Sequence, residues 1–395
     1  MAYESLQPTI RITVEGTELS ADVTKYVTKC TCEQTVDMAD KITLTVLNVQ
    51  EDVLGSGYTG FFAFTDSKVF QPGNTILVHM GYGAEEKLVG AGIIQRFLPN
   101  FPEDGPAMLT IMAYDASVLM MEGEACRQGE VWEDTAHSDV VLSVANRYAF
   151  IANIESSESI EGAATGGFVR VGIEKNTTKK KGMTDWELVQ GLARLHGYDV
   201  KVRWSEDLNT WELWWGPDIW DQQKQYTFVY NQGQQSTLLS FQPEMAITGL
   251  PSTVKVLYFD QDTRTWEEME LKEEEGEGES IKFTGSGLLE DEIINSSSYR
   301  IAASGINVEV VPGIHFDSAE DAQLYAESFF RARKDQFITG RGKTAGLEVL
   351  KAGHTHILVG LGVQLGGEWY FTTVRHVFDA MSGYVCEFYA NKVVT

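Results

Sequence analysis

The residues best equipped for chemistry are few and scattered. Seven histidines and four cysteines are spread over 395 residues. His354 and His356 stand two apart in a run that reads as a strand, so their rings share one face and could grip a metal ion together. A stable site needs three or four ligands, and no third donor lies near them in sequence, so no metal is expected. Cys30 and Cys32 also stand two apart on one strand face. Their spacing is neither a redox Cys-x-x-Cys nor half of a zinc site, and buried reduced thiols are expected, as in a reducing cytoplasm.

Trp204, Trp211, Trp214, Trp215 and Trp220 cluster around Glu206 and Asp207. Aromatic rings beside paired carboxylates occur in glycan-processing sites, where the acids carry the reaction. The same rings serve equally well as the apolar face of a hairpin packed on a helix. Lys179, Lys180 and Lys181 are the one concentrated basic run, read as a flexible loop tip or a contact for an acidic neighbouring subunit. The sequence contains no Gly-x-Ser-x-Gly elbow, phosphate-binding loop or His-Glu-x-x-His motif. No catalytic, cofactor-binding or metal-binding residue is therefore assigned, no cofactor is expected, and the chain is read as not an enzyme. A glycan (cell-wall) hydrolase using the Trp-flanked carboxylates is the alternative.

Charge narrows the partners. Asp and Glu number 57 against 31 Lys and Arg, a net charge of −26. Such a chain repels nucleic acid at long range, because phosphate binding needs Lys and Arg to displace counterions. The excess serves solubility, and it also suits a surface that DNA passes without sticking. Hydrophobic residues make up 43% and aromatics 11%, enough for packed cores. The N-terminal residues carry no signal-peptide pattern, and no run is long and apolar enough for a membrane helix, so assembly in the cytoplasm is expected.

The elements fall into three regions, 1–120, 121–222 and 223–395. In the first, Ile10–Val14, Ile42–Val46 and Leu109–Ile111 alternate apolar and polar, the mark of antiparallel strands with one wet face. The second is α+β. Ser138 and Asp139 offer a cap for a helical stripe through Val140, Val141 and Val144. A glycine-bearing loop at Gly162, Gly166 and Gly167 follows. Thr184 and Glu187 have the form of a capping box for a second helix that stops at Gly197, and a hairpin joins Val200–Val202 to Glu212–Trp214. The third region returns to strands. It is interrupted by an acidic stretch read as a mobile loop, about 261–280, and by a helix at about 317–334.

A repeat links the first and third regions. Gly73 leads a strand that closes at Gly81 and Gly83, and Gly353 leads one that closes at Gly360 and Gly362. Gly90 and then Ile93–Phe97 follow the first, and Gly366 and then Phe371–Phe378 follow the second. Gly105 turns into Met108–Met112, and Gly383 turns into Tyr384–Phe388. The spacing is 32 positions from Gly73 to Gly105 and 30 from Gly353 to Gly383. Two similar β-domains near the two ends of one chain would let a ring of three copies present six similar units, matching a sixfold partner on one side and a threefold partner on the other.

These stretches resemble the phage late control gene D protein and baseplate hub family, whose fold is shared with the N-terminal part of type VI secretion spike proteins. The resemblance rests on Pro72 to Asp115, on Met183 to Val189 with Asp185 and Trp186, and on Gly340 to Phe388 with Gly353, Gly366, His376 and Gly383. It implies a mainly β fold with an α+β middle region: two tail-tube-like antiparallel β-barrel domains plus inserted helices. It further implies a homotrimer at the virion's tail baseplate, joining the tail tube protein on one face to the central spike protein on the other, among other baseplate proteins. DNA would pass through the lumen without specific binding, and no membrane would be involved. An acidic lumen wall is expected, and Lys and Arg along that wall would refute it. No spike or lysin segment follows the repeat, so those functions are expected on other chains.

Overall fold

The computed structural model describes residues 7–123, 128–156, 175–216, 225–245, 253–260, 265–272, 308–311 and 338–393, without 37, 52–60, 63, 67, 84, 197, 232 and 234–235, together with the helical residues 323, 326 and 329. The first β-unit contains β1 (Pro8–Val14), β2 (Thr17–Glu18), the short α1 (Ala21–Thr24), β3 (Val27–Thr35), β4 (Lys41–Leu47), β5 (Gln50–Glu51), β6 (Phe61–Phe62), β7 (Thr75–Tyr82), β8 (Glu85–Asn100) and β9 (Met108–Tyr114). The middle unit follows with α2 (Ser117–Met121), β10 (Glu130–Thr135), α3 (His137–Arg147), β11 (Ile151–Ile154), β12 (Lys175–Lys179), α4 (Asp185–His196), β13 (Asp199–Ser205) and β14 (Thr210–Gly216). The second β-unit comprises β15 (Thr227–Val229), β16 (Leu238–Met245), β17 (Thr253–Asp260), β18 (Thr265–Lys272), β19 (Val308–Val311), β20 (Ile338–Ala345), β21 (His354–Val359), α5 (Gly362–Leu365), β22 (Gly367–Asp379) and β23 (Gly383–Lys392). The class is mainly antiparallel β.

Alternation drives these strands. In β4 every second side chain, Ile42, Leu44 and Val46, is buried while Lys41, Thr43 and Thr45 stay wetter, and β9 repeats the pattern with Leu109, Ile111 and Ala113. The repeat extends well beyond the three strands legible in the glycine spacing. The first unit runs β3-β4-β9-β8-β7-β1 across its sheet, and the second runs β16-β20-β23-β22-β21-β15. Numbered within each unit, both read second, third, sixth, fifth, fourth, first. The units differ at the last place, where β1 is antiparallel to β7 and β15 is parallel to β21.

Fine geometry repeats too. Gly73 and Gly353 both adopt positive φ, +94° and +87°, and each donates its N–H across to the fifth strand, to Ile94 O at 2.8 Å and to Phe371 O at 2.7 Å. One bulge in the fifth strand falls at Ile94/Arg96 and at Phe371/Thr373, and one in the second strand falls at Val27/Lys29 and at Leu238/Ser240. A bulge costs ladder hydrogen bonds and re-aims a strand, so four in matching places follow from one shared path of the chain.

The two units join edge to edge. β3 pairs with the C-terminal half of β22, giving a continuous 13-stranded sheet with a single apolar core from both units. The middle unit has a separate core, in which α3 and α4 cover the sheet β11-β14-β13.

Three expectations need correction. Glu267, Glu268 and Glu270 lie on β18, not in a mobile loop: β18 pairs with β17 along its whole length, and Lys255 bonds Glu268 while the Tyr258 hydroxyl donates to Glu267 at 2.9 Å. Cross-strand partners thus offset the like charges of this run. Helix α3 starts at His137 with Ala136 at its N-cap, so Ser138 and Asp139 sit inside the first turn. Lys179 is no loop tip, as described below. The Gly162 loop, residues 261–264 and 273–280 of the acidic stretch, most of the 317–334 helix and Cys126 lie outside the described residues.

Gly90 tests the packing between β8 and β3. A Cβ there would stand 2.7 Å from Cys32 Sγ and 3.2 Å from Ile42 Cγ1. Gly90→Val is expected to destabilise the protein by about 1–3 kcal/mol through overpacking, read as a lower urea midpoint with an unchanged slope. An unchanged midpoint would mean that this contact yields freely.

Candidate functional site

The duplicated units meet at a seam where β3 pairs with β22. Along it Thr373 faces Thr35, Arg375 faces Glu33, Val377 faces Thr31 and Asp379 faces Lys29. Arg375 reaches Glu33 at 3.6 Å and Glu387 at 3.5 Å. These are half-exposed pairs that set register more than stability.

Beneath the seam, on the core side, Cys32 faces His376. His376 is fully buried; its Nε2–H donates to Leu350 O at 2.8 Å, and the Tyr384 hydroxyl donates to Nδ1 at 2.6 Å. Burial pushes the imidazole down to about 4, so it stays neutral, and it pushes the Tyr384 hydroxyl and the Cys386 thiol up. His376 thus ties the hairpin β22–β23 to the loop before β21. Cys30, Cys32 and Cys386 are buried free thiols, and burial raises the Cys32 thiol as well, which makes it inert.

Among the described residues, neither apolar core lies on the opposite face of the sheet, called the bare face below. Across β16, β20, β23, β22, β3, β4, β9 and β8 it presents mainly hydroxyls, amides and charges of both signs. A groove of about 600 Å³ runs over it, lined among others by Glu33, Phe241, Arg341, Lys343, Arg375 and Tyr389. Arg341 donates to Gln242 Oε1 at 2.6 Å. Lys29, Lys41 and Arg96 continue the basic positions onto the first unit, against Glu33, Glu244, Asp379 and Glu387. On a chain of net charge −26, this face is not acidic.

The middle unit docks through a polar clamp. Lys201 of β13 donates to Thr35 O at 2.6 Å and ion-pairs with Asp40. Asp115 accepts from the backbone N–H of Asp40 at 2.6 Å and of Ser117 at 2.8 Å, which joins the start of β4 to the entry of α2. Burial, with the nearby Asp40 charge, pushes Asp115 up to about 6. His79 and Glu206, 2.9 Å apart, add a second contact between the units.

Inside the middle unit, Asp185 is fully buried and gathers Lys179, Arg147 and the Tyr148 hydroxyl, the last at 2.8 Å. Lys179, also fully buried, is therefore an internal counter-ion; Lys180 and Lys181 are exposed. This pairing is hard to see in the sequence, because Lys179 and Asp185 meet only through the turn between β12 and α4. Trp186 is buried in the core, and the capping box is real: Glu187 N–H donates to Thr184 Oγ1 at 3.1 Å and Thr184 N–H to Glu187 Oε2 at 2.8 Å. Trp211 and Trp215 belong to the same core, Trp204 packs edge-on against Trp211 at 5.2 Å, and Trp220 lies outside the described residues. Trp204, Trp211 and Trp215 are thus on the hairpin's packing face, Trp214 alternates onto the other face opposite Lys201, and Glu206 is bound to His79 rather than paired with a second carboxylate across a cleft.

Gly81, Gly366 and Gly383 sit at turns and close backbone contacts. Gly81 lies where β8 returns, with Glu85 O occupying the space of a Cβ, and Gly366 closes α5 with an N–H to Gly362 O at 3.0 Å. Gly383 makes the β22–β23 turn at φ +89°. His354 and His356 are buried with ring centres 6.1 Å apart, and His356 Nδ1 accepts from Tyr226 N–H at 3.3 Å. Among the described residues, no group of three or more His, Cys, Asp or Glu is arranged to hold a metal, and no helix is long and apolar enough to cross a membrane.

A family model described as the Alg8 N-terminal domain matches residues 4–379. No curated protein matches the sequence. Among solved structures, a tail protein from Neisseria meningitidis MC58 is similar with a TM-score of 0.64 at 11% identity, over 98% of this chain and 96% of that one. The 43 kDa tail protein of prophage MuSo2 from Shewanella oneidensis gives 0.63 at 10% identity, over 97% and 98%. An E. coli component of the type VI secretion system, described as structurally similar to T4 bacteriophage tail proteins, gives 0.54 at 9% identity, over 97% and 76%. The fold is that of tail proteins and their secretion-system relatives.

Two measurements probe the buried polar groups. Lys179→Met alone leaves Asp185 buried beside a lost partner and is expected to cost about 3–5 kcal/mol. Lys179→Met with Asp185→Leu should cost less than the sum of the two single changes in chemical unfolding; additive losses would show that the two side chains are not coupled. His376 is held neutral in the fold and has an ordinary pKa when unfolded, so its contribution is present above about 6.5 and is lost as pH falls toward about 4. Over that window stability should rise with pH by about 1.4 kcal/mol per unit from this group alone. His376→Gln should flatten the wild-type profile by that slope, and an unchanged slope would show that His376 is not held neutral.

Proposed function

The chain belongs to the Alg8 N-terminal domain family; from its tail-protein fold and its duplicated β-units we propose that it is the structural hub of a contractile tail baseplate or related injection machine, of the late control gene D kind. The observation that carries the reading is the duplication: one strand order, with matching bulges, occurs twice in a single chain. Three copies closed about an axis offer six similar β-units to a sixfold tail tube while keeping threefold symmetry for a central spike. Other baseplate proteins would contact the middle unit and the hairpin β17–β18 on the outside. The hub belongs to the virion, at the tail baseplate.

The role is mechanical rather than catalytic. The groups that resembled a reaction centre are spent on packing: Trp204, Trp211 and Trp215 on the middle core, His376 on the β22–β23 hairpin, Asp185 on Lys179. In a ring built from this sheet the bare face turns inward, because cores and the middle unit cover the other face. That wall is mixed in charge, so the acidic wall expected from net charge gives way under this reading. Arg375 is shared between Glu33 and Glu387, and threonines separate the cations. DNA crossing such a wall would find few adjacent free cations and so no multi-phosphate grip.

Imaging of assembled particles with this chain labelled is expected to place three copies on the tail axis, between tube and spike. Six copies per particle, or a position off the axis, would overturn the hub assignment.

A further inference from the structure

Strand edges with unused hydrogen-bonding groups need an occupant or a guard. Within the chain, β21 covers β22 only as far as Phe371, and β3 fills the same side of β22 from Thr373 to Asp379. The duplicated positions are open among the described residues. β7 covers β8 only as far as Ile93, and β16 is a terminal strand of the sheet. Both open edges carry exposed apolar side chains: Leu98 and Phe101 at the end of β8 are 44% and 53% exposed, and Leu239 and Met245 on β16 are 50% and 45% exposed.

The matched bulges and glycines fix the correspondence. Phe371 of β22 matches Ile94 of β8, and Thr31 of β3 matches Gln242 of β16. We propose that a second copy of this chain fills these edges: β16 of one copy runs antiparallel to residues 96–100 of β8 in the next. Leu98 then faces Glu244 and Asn100 faces Gln242, the counterparts of Arg375 with Glu33 and Val377 with Thr31 in the internal seam. This contact rests on the ring reading above and supplies the surface by which the ring closes.

The two seams are not equal. Internally, Val36 N–H to Thr372 O and Ala380 N–H to Thr28 O put the even-numbered residues at the hydrogen-bonded positions, among them the pair His376 and Cys32. Their counterparts are Pro99 and Pro243, and proline has no N–H to donate. The seam between copies therefore lacks ladder bonds at its middle and leans on apolar contact of Phe97 and Phe101 with Met245 and Phe241. The prolines also guard both edges of a free subunit against pairing with unrelated strands.

The test is a disulfide across the new seam. Leu98 and Glu244 are non-hydrogen-bonded partners, the closer type of cross-strand pair, near enough for a disulfide, and both lie on the surface strands, so L98C with E244C should fold. In assembled particles under mild oxidation, the double variant is expected to give covalent dimers and trimers and nothing larger, while each single variant stays unlinked. E33C with R375C, bridging the internal seam, is the positive control and should close within one chain. Three copies on the axis with the control linked and L98C/E244C unlinked would overturn this interface and leave the hub reading standing. Links that run on to open-ended ladders would overturn ring closure, and particles without three axial copies would overturn both.

Discussion

The backbone ladder between β3 and β22 is the constraint on which the rest of the molecule depends. A β-unit of this kind ends in an edge whose N–H and C=O groups must be paired, covered or left to water. Here one unit's second strand supplies the partner for the other unit's fifth. The pairing merges two units into one sheet, and with it two apolar faces into one core that runs from Ile12 to Ala390. Burial under the seam then follows: Cys32 and His376 face each other only because the strands are in this register, and a slip of β22 by one residue against β3 would turn His376 toward the bare face while Cys32 stayed in the core.

Polar groups inside the protein act as locators. Apolar burial is indifferent to small slides, whereas a buried lysine or carboxylate tolerates few arrangements. Lys201 reaches across to Thr35 and Asp40 and fixes where the middle unit sits on the first β-unit. Asp185 does the same within the middle unit by collecting Lys179, Arg147 and Tyr148. These contacts favour one geometry over near alternatives more than they add net stability, a division of labour suited to a part that must match neighbours of fixed symmetry.

Net charge is a poor guide to any one surface of this chain. The total of −26 coexists with a bare sheet face where Arg341, Lys343 and Arg375 sit among threonines and glutamates. Part of the acidic excess lies on β18, where Lys255 and Tyr258 answer it. Composition sums over faces that the fold separates, and long-range repulsion of a polyanion does not decide what a short stretch of wall does at contact.

Local pattern and turn chemistry were determined by the sequence alone. Alternation in β4 and β9 announced antiparallel strands because a two-residue period maps onto the two faces of a sheet. Gly73 and Gly353 announced equivalent turns because only glycine adopts φ near +90° without strain, and Thr184 with Glu187 announced a helix start because both bonds lie within four residues. Whatever depended on distant partners was decided by tertiary structure. The acidic run became a strand because β17 was there to pair with it; Lys179 went inside because Asp185 awaited it; Trp211 and Trp215 became core because α4 covers their sheet. The junction of β3 with β22 joins residues more than three hundred positions apart. Local propensity reaches only a few residues along the chain, and backbone groups pair with any strand of suitable direction, so the choice of partner belongs to the whole fold.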